Sequence, residues 1–331
     1  MRTIRNRALI AFAAGMVATA LSADGASAAT ALPAHLYAPY FESWSSETIT
    51  GISDASGVKY FTIAFLETTS KNSCTLAWNG DKSRTVASGE YLHDIASLRA
   101  AGGDVIPSFG GWSADQGGTE IGDSCASVKS IVAAYKQVVK SYDVSRLDMD
   151  IEGRSLTRSA GIDRRNTAIA RLQQWATRTG RPLQIQYTIP TSASGLDASS
   201  LAVLENAVAD GVRIDVVNPM VFDYYDHTTT DMGGAAINAS KGLHSQLMTL
   251  LPSLTSAQVW GLQGATMMNG VDDFPQGTEV TDLADAQQLL DFAVSKGMSS
   301  LSIWSIQRDN ASSGISQGDW DFSHLLSAFT S

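Results

Sequence analysis

Three acids alternate with large apolar residues in the segment Leu147-Asp148-Met149-Asp150-Ile151-Glu152-Gly153. Acids spaced two residues apart share one face of a β-strand, about 6.6 Å from one to the next at ~3.3 Å of rise per residue. A carboxyl held beside other carboxyls has a raised pKa and keeps its proton near neutrality, which is what a general acid needs. Asp148 and Asp150 would titrate as a coupled pair, with Glu152 at the strand's end. One rival reading is an edge strand with its acidic face in water. Another is a metal site, since Asp-x-Asp can bind a divalent cation. No histidine is near, however, and one strand face cannot surround an ion with six oxygens, so no metal is expected. His35, His93, His227, His244 and His324 show no ligand spacing, and no G-x-S-x-G elbow is present.

Which way the acids face depends on the elements that carry them. Strands are predicted at Leu36–Phe41, Lys59–Leu66, Asp104–Phe109, the acidic segment, Pro182–Ile189, Arg213–Phe222, Gln258–Met267 and Ser299–Trp304. Helices fall between them, around Glu90–Ala101, Val128–Tyr142, Ala160–Thr179, Ala198–Ala209, Gly234–Leu251 and a stretch capped by Thr281. A last one is expected at Trp320–Phe329. Strict alternation predicts a parallel sheet, and eight strands without a linker predict a single-domain α/β fold, a closed (β/α)8 TIM barrel. No phosphate-binding loop is present, because Gly110-Gly111 runs into Trp112 and Ser113. In a barrel, Leu147, Met149 and Ile151 pack outward on helices and the acids line the inside, with Glu152 at the open mouth. Such a column has little structural use, since buried carboxyls are costly.

Composition narrows the partners. Arg2, Arg5 and Arg7 precede an apolar run from Ala8 to Leu21, and Ala26-Ser27-Ala28 has the form of a cleavage site. Residues 1–28 therefore read as a secretory signal peptide, and 29–331 as the catalytic barrel of a secreted, extracellular protein. The formal charge is −10, or −12 without the leader's three arginines and one aspartate. An acidic exported chain suits a neutral or basic substrate and excludes nucleic acid and anionic membrane. Cys74 and Cys125 would pair as a single disulfide in an oxidising compartment, the alternative being two buried thiols. A monomer is the working expectation.

At this level of detail the residues resemble the glycoside hydrolase family 18 chitinases. That family's D-G-x-D-x-D-x-E is matched by Asp148, Asp150 and Glu152, and its S-x-G-G by Ser108-Phe109-Gly110-Gly111. Tyr37-Ala38-Pro39-Tyr40, Tyr187-Thr188-Ile189-Pro190, the segments Val217–Tyr224 and Gly264–Asp273, and Trp304–Asn310 are similar in the same order. The resemblance implies a retaining reaction without a cofactor. Glu152 would protonate the glycosidic oxygen while the substrate's own acetamido oxygen attacks C1. Asp150 would hold the acetamido group, and Asp148 would share its proton. Tyr40, Met220, Asp223 and Trp304 would line the subsite, although Tyr40 and Trp304 would serve equally as core residues. Trp44 and Trp112 read as outer sugar platforms or as locally packed rings, and Gly110 and Gly111 as sites of close backbone packing.

Two departures stand out. Ser145-Arg146 replaces the motif's Asp-Gly, which leaves the acid column one member short, with Asp143 out of register. Phe222 stands where many members have Tyr, so the hydroxyl must come from Tyr224 or another group. The expected activity is cleavage of β-1,4 bonds between N-acetylglucosamine units of chitin or chitooligosaccharides. The alternatives are an endo-β-N-acetylglucosaminidase of N-glycans and a catalytically weak carbohydrate-binding barrel.

Overall fold

A computed structural model describes residues 32–273 and 279–331; the leader lies outside the described residues. Eight strands form the barrel. The first, β1, is in two pieces, Leu36–Tyr37 and Tyr40–Glu42. Then come β2 (Tyr60–Thr68), β3 (Asp104–Gly110), β4 (Arg146–Asp150) and β5 (Gln184–Pro190), followed by β6 (Val216–Met220), β7 (Gly264–Met268) and β8 (Ser300–Trp304). Neighbours pair in parallel in sequence order, and the two pieces of β1 close the ring. Leu36–Tyr37 pairs with β8, and Tyr40–Glu42 pairs with β2. The break falls at Ala38-Pro39, and a proline has no N–H to give to a ladder. A continuous first strand was expected; the ring instead closes across this joint.

A helix follows each strand: α1 (Ile49–Ser56), α2 (Leu92–Ala100), α3 (Val128–Tyr142), α4 (Ser159–Arg178), α5 (Ala198–Ala209), α6 (Met232–Leu250), α7 (Leu283–Lys296) and α8 (Asp321–Leu326). Helix α3 shows why they sit where they do. Ile131, Val132, Tyr135, Val138, Val139 and Tyr142 form one buried stripe, and the Ser127 side chain accepts the Ser130 N–H at the start. Outward-facing Leu147, Met149 and Ile151 of the fourth-strand segment join the core beneath the helices. Inside the ring many buried side chains are polar, among them Thr62, Ser108, Asp148, Gln186, Asn218 and Thr266, above a small apolar plug of Leu36, Ala38 and Ile106.

Two boundaries differ from the sequence reading. Gln258–Gly261, expected at the start of the seventh strand, belongs to the helix Ser256–Gly261, because Thr255 and Gln258 form a reciprocal capping box that nucleates one turn. Thr281 ends a two-stranded hairpin (Gly270–Val271 with Val280–Thr281), and α7 is capped by Asp282, whose carboxylate accepts the Ala284 and Asp285 N–H groups. Cys74 and Cys125 are joined in a disulfide, 51 residues apart in sequence. It ties the loop after β2 to the loop after β3 and contributes about 4 kcal/mol on the chain-entropy model. Among the described residues no helix is long and apolar enough to cross a membrane.

Candidate active site

Strand β4 turns Asp148 and Asp150 into the ring and delivers Glu152 two residues past its carboxyl end. Asp148 is fully buried and its oxygens are saturated by hydroxyl donors. Ser108 Oγ (2.6 Å) and Tyr40 Oη (2.8 Å) reach Oδ2, and Thr188 Oγ1 (2.7 Å) reaches Oδ1. Asn218 Nδ2 donates in turn to Thr188 at 2.9 Å. Burial pushes the Asp148 pKa up and the hydroxyls pull it back. The column lacks its lower carboxyl, and buried Arg146 lies on the same strand face instead, bonded to Gln184 Oε1 at 3.0 and 2.8 Å. Burial lowers that guanidinium to about 10, and the charges of Asp215 and Asp148 oppose the fall.

Asp150 has a different surrounding. Burial first, then the charges of Glu152, Asp148 and Asp115, hold its pKa well above the usual carboxylate range. It shares a hydrogen bond with Glu152. Glu152 itself is pushed up to about 7, chiefly by loss of water. The hydrogen bonds to Asp150 and the Trp112 N–H work against that, while the charge of Asp223 adds to it. The upper acids therefore hold protons as a group across neutral pH.

Above the acids lies a cleft of about 640 Å³. Trp304 forms its floor, stacked on Phe65 (centroids 5.5 Å apart, planes at 16°) with Tyr40 edge-on at 5.6 Å. Trp44 packs against both rings, 6.2 Å from Phe65 and 6.1 Å from Trp304, and is 44% exposed, and Trp112 at the rim is 59% exposed. Free aromatic faces of this kind suit the apolar face of a sugar ring. Gly110 and Gly111 are required by close approach. A Cβ on Gly110 would sit 2.1 Å from the Asp150 carbonyl oxygen, and one on Gly111 2.5 Å from the Phe65 ring. Glu67, Asp150, Glu152, Asp223 and Asp273 line the cleft, and among the described residues no Lys or Arg does. Such a cleft favours neutral or cationic occupants.

The structure brings Tyr40, Asp148, Asp150, Glu152, Met220, Asp223 and Trp304 together around this cleft. Tyr224 does not join them. Its ring packs against the core, and the tyrosine in the cleft is Tyr225, hydrogen-bonded to Asp223. The swap is imposed from outside. From the hairpin, Asp272 Oδ2 accepts the Asp223 N–H (2.8 Å), and Glu279 accepts the N–H groups of Tyr224 (2.7 Å) and Tyr225 (3.0 Å). These bonds hold Asp223 and Tyr225 at φ +50° and +54°, which reverses the residues' usual alternation. Burial, followed by the charges of Asp223 and Glu279, raises Asp272 to about 8.

Asp223, Asp272 and Glu279 are also the one group among the described residues close enough to share a cation, with oxygens within 4.8 Å of one another. Backbone N–H groups already occupy Asp272 Oδ2 and both Glu279 oxygens, and three carboxylates fall short of the six to eight oxygens a hard cation takes. The donor set fits a backbone clamp better than a metal centre. Sequence reasoning missed Asp115, Phe65, Tyr225, Asp272 and Glu279. Only the Tyr224-Tyr225 doublet gave a usable signal, and it was ambiguous.

The family model for glycosyl hydrolases family 18 matches residues 37–273. The chain is 33% identical over 290 residues to a probable bifunctional chitinase/lysozyme of Escherichia coli (strain K12), covering 84% of this chain and 31% of that protein. It is 33% identical over 291 residues to endochitinase 11 of Metarhizium anisopliae, covering 84% and 53%. The chain thus spans a third to a half of the curated relatives it matches. Among solved structures, it is similar to the catalytic domain of a hyperthermophilic chitinase from Pyrococcus furiosus, at 29% identity and TM-score 0.79, covering 91% of this chain and 96% of that one.

Proposed function

The chain belongs to glycosyl hydrolases family 18, and on that footing we propose that it cleaves β-1,4 bonds between N-acetylglucosamine units of chitin or chitooligosaccharides. The observation that carries this reading is the placement of Glu152: a carboxyl raised to about 7, at the base of an aromatic-floored cleft, hydrogen-bonded to Asp150, whose pKa is also raised. Export from the cell belongs to the same proposal and rests on the leader in the sequence.

The reaction follows from the placement of groups. Glu152 gives its proton to the glycosidic oxygen as the C1–O bond breaks. The acetamido oxygen of the same sugar forms the new bond to C1, giving an oxazolinium ion. Asp150 passes its proton to Asp148 as it exchanges its hydrogen bond with Glu152 for one with the acetamido N–H, and its negative charge then offsets the ring's positive charge. Asp148, fixed by three hydroxyls, keeps Asp150 in register. Trp304 packs on the sugar face, and Asp223 with Tyr225 contacts the acetamido side. Glu152, now ionised, takes a proton from the water that opens the oxazolinium at C1, so the acid is regenerated, one water is consumed, and two inversions leave the configuration retained.

Glu152→Gln tests this directly. Hydrolysis of N-acetylglucosamine oligomers should fall at least about a hundredfold, since a positioned acid contributes that much or more, while oligomer binding persists. Equal rates for the two proteins would overturn the assignment. Products of inverted configuration, or undiminished cleavage of fully deacetylated oligomers, would refute the acetamido nucleophile. A parallel arm with a high-mannose glycopeptide separates chitin from N-glycan as the substrate.

A further inference from the structure

Behind Glu152, away from the cleft, lies a fourth acid. Asp115 sits on the short helix Trp112–Gly117 and is fully buried. Its Oδ2 accepts a short hydrogen bond from the backbone N–H of Glu152. It does not cap its own helix, whose N-cap is Gly111 without a side-chain bond. Its Oδ1 is buried without a partner. Sinking a carboxyl completely for a single hydrogen bond is a poor exchange for stability. The main chain it holds is that of the candidate proton donor.

The groups around it are all identified. Glu120, at the end of the next loop, repels it, and Arg165 from α4 attracts it, with Arg165 Nε 3.5 Å from Glu120 Oε1. Tyr135 and Asp123 also face Arg165. On the cleft side Asp115 faces Glu152 and Asp150, both of which feel Asp148 or Asp223 as well. A carboxyl here is thus coupled to both acids that carry the reaction's proton, and burial, followed by the charge of Glu120, holds its own pKa well above the usual carboxylate range.

We propose that Asp115 is a positioning residue for the hydrolysis: it fixes the backbone of Glu152 and, as an ionisable neighbour, keeps the proton on Asp150, the hydrogen-bond partner of Glu152. The proposal rests on Glu152 being the general acid. Replacing Asp115 with asparagine leaves an oxygen for the Glu152 N–H and removes the ionisable neighbour, so Asp150 loses its proton more readily.

The test compares wild type, D115N, D115A and Glu152→Gln on chitotetraose from pH 4 to 10, with thermal unfolding recorded for each. D115N should unfold close to wild type and keep KM within about twofold. Its kcat/KM should lose its alkaline limb about half a pH unit earlier, falling about twofold below wild type at pH 7 and about threefold below it above pH 8. D115A should lose kcat further, because the backbone bond goes too. A D115N profile that superimposes on wild type, with only D115A impaired, overturns the inference and leaves Asp115 a structural residue. An active wild type with a dead Glu152→Gln and an unaltered D115N overturns this inference alone. An inactive wild type overturns the hydrolase reading, and this one with it.

Discussion

Gly110 and Gly102 make a matched pair of perturbations. Both adopt left-handed backbone, at φ +96° and +85°. A Cβ on Gly102 meets nothing within 4 Å, whereas one on Gly110 lands 2.1 Å from the carbonyl oxygen of Asp150 and 3.3 Å from its carbon. Alanine at Gly102 should therefore cost only the conformational strain, about 1–2 kcal/mol. Alanine at Gly110 carries the same strain plus overpacking against backbone, about 1–3 kcal/mol more. Gly110 is also the register partner of Asp150, whose carbonyl accepts the Gly111 N–H at 3.2 Å. Relief of the clash must move β4 at the residue bearing the acetamido-binding acid. At roughly 2 °C per kcal/mol for a domain this large, Gly102→Ala should melt about 2–4 °C low and Gly110→Ala several degrees lower still. A shift of this kind in a positioned group costs about tenfold to a hundredfold in kcat, and Gly102→Ala should lose none. Calorimetry and oligomer hydrolysis on both variants decide the matter. If Gly110→Ala melts with Gly102→Ala and turns over like wild type, the close-approach argument is wrong.

The pH profile follows from Glu152, whose acid form is half gone at about pH 7 and about nine-tenths gone at pH 8. Above neutrality kcat/KM should fall about tenfold per unit, and a plateau reaching pH 9 would remove Glu152 as the proton donor. Stability moves the same way. Glu152 and Asp272 have folded-state pKa values raised to about 7 and about 8, so their contribution is full below the ordinary carboxylate range. It is lost as pH rises through those values, and the melting temperature should be lower at pH 9 than at pH 6. Tyr225→Phe removes a hydroxyl bonded to Asp223 and should cut kcat/KM about tenfold, while Tyr224→Phe should change it less than about twofold. The reverse order of effects would return the cleft to Tyr224.

The acid column was legible because a period of two is unambiguous, and counting strands settles which face is inside. The seventh strand was misplaced because Val259-Trp260-Gly261-Leu262 looks like buried strand, whereas its fold is decided by the Thr255–Gln258 capping box. Choosing between Tyr224 and Tyr225 needs the backbone at Asp223, and that is set by carboxylates about 50 residues away in the chain. Asp115 carries no periodic or motif signal; only the folded proximity of two loops puts it under Glu152. The sequence could not reveal that three hydroxyls would surround Asp148 and that Arg146 would lie below it on the same strand face.

The divided first strand decides when the molecule comes into being. Leu36–Tyr37 has no ladder partner until Ser300–Leu301 has been made, and the sheet stays an open ribbon with two bare edges while nearly all of the chain already exists. The cleft floor waits on the same event, because Trp304 ends the strand that completes the ring. Exposed edges are where sheets recruit other chains. A polypeptide halted just before β8 is therefore both inactive and at its most prone to aggregate, and its last tenth serves as the clasp.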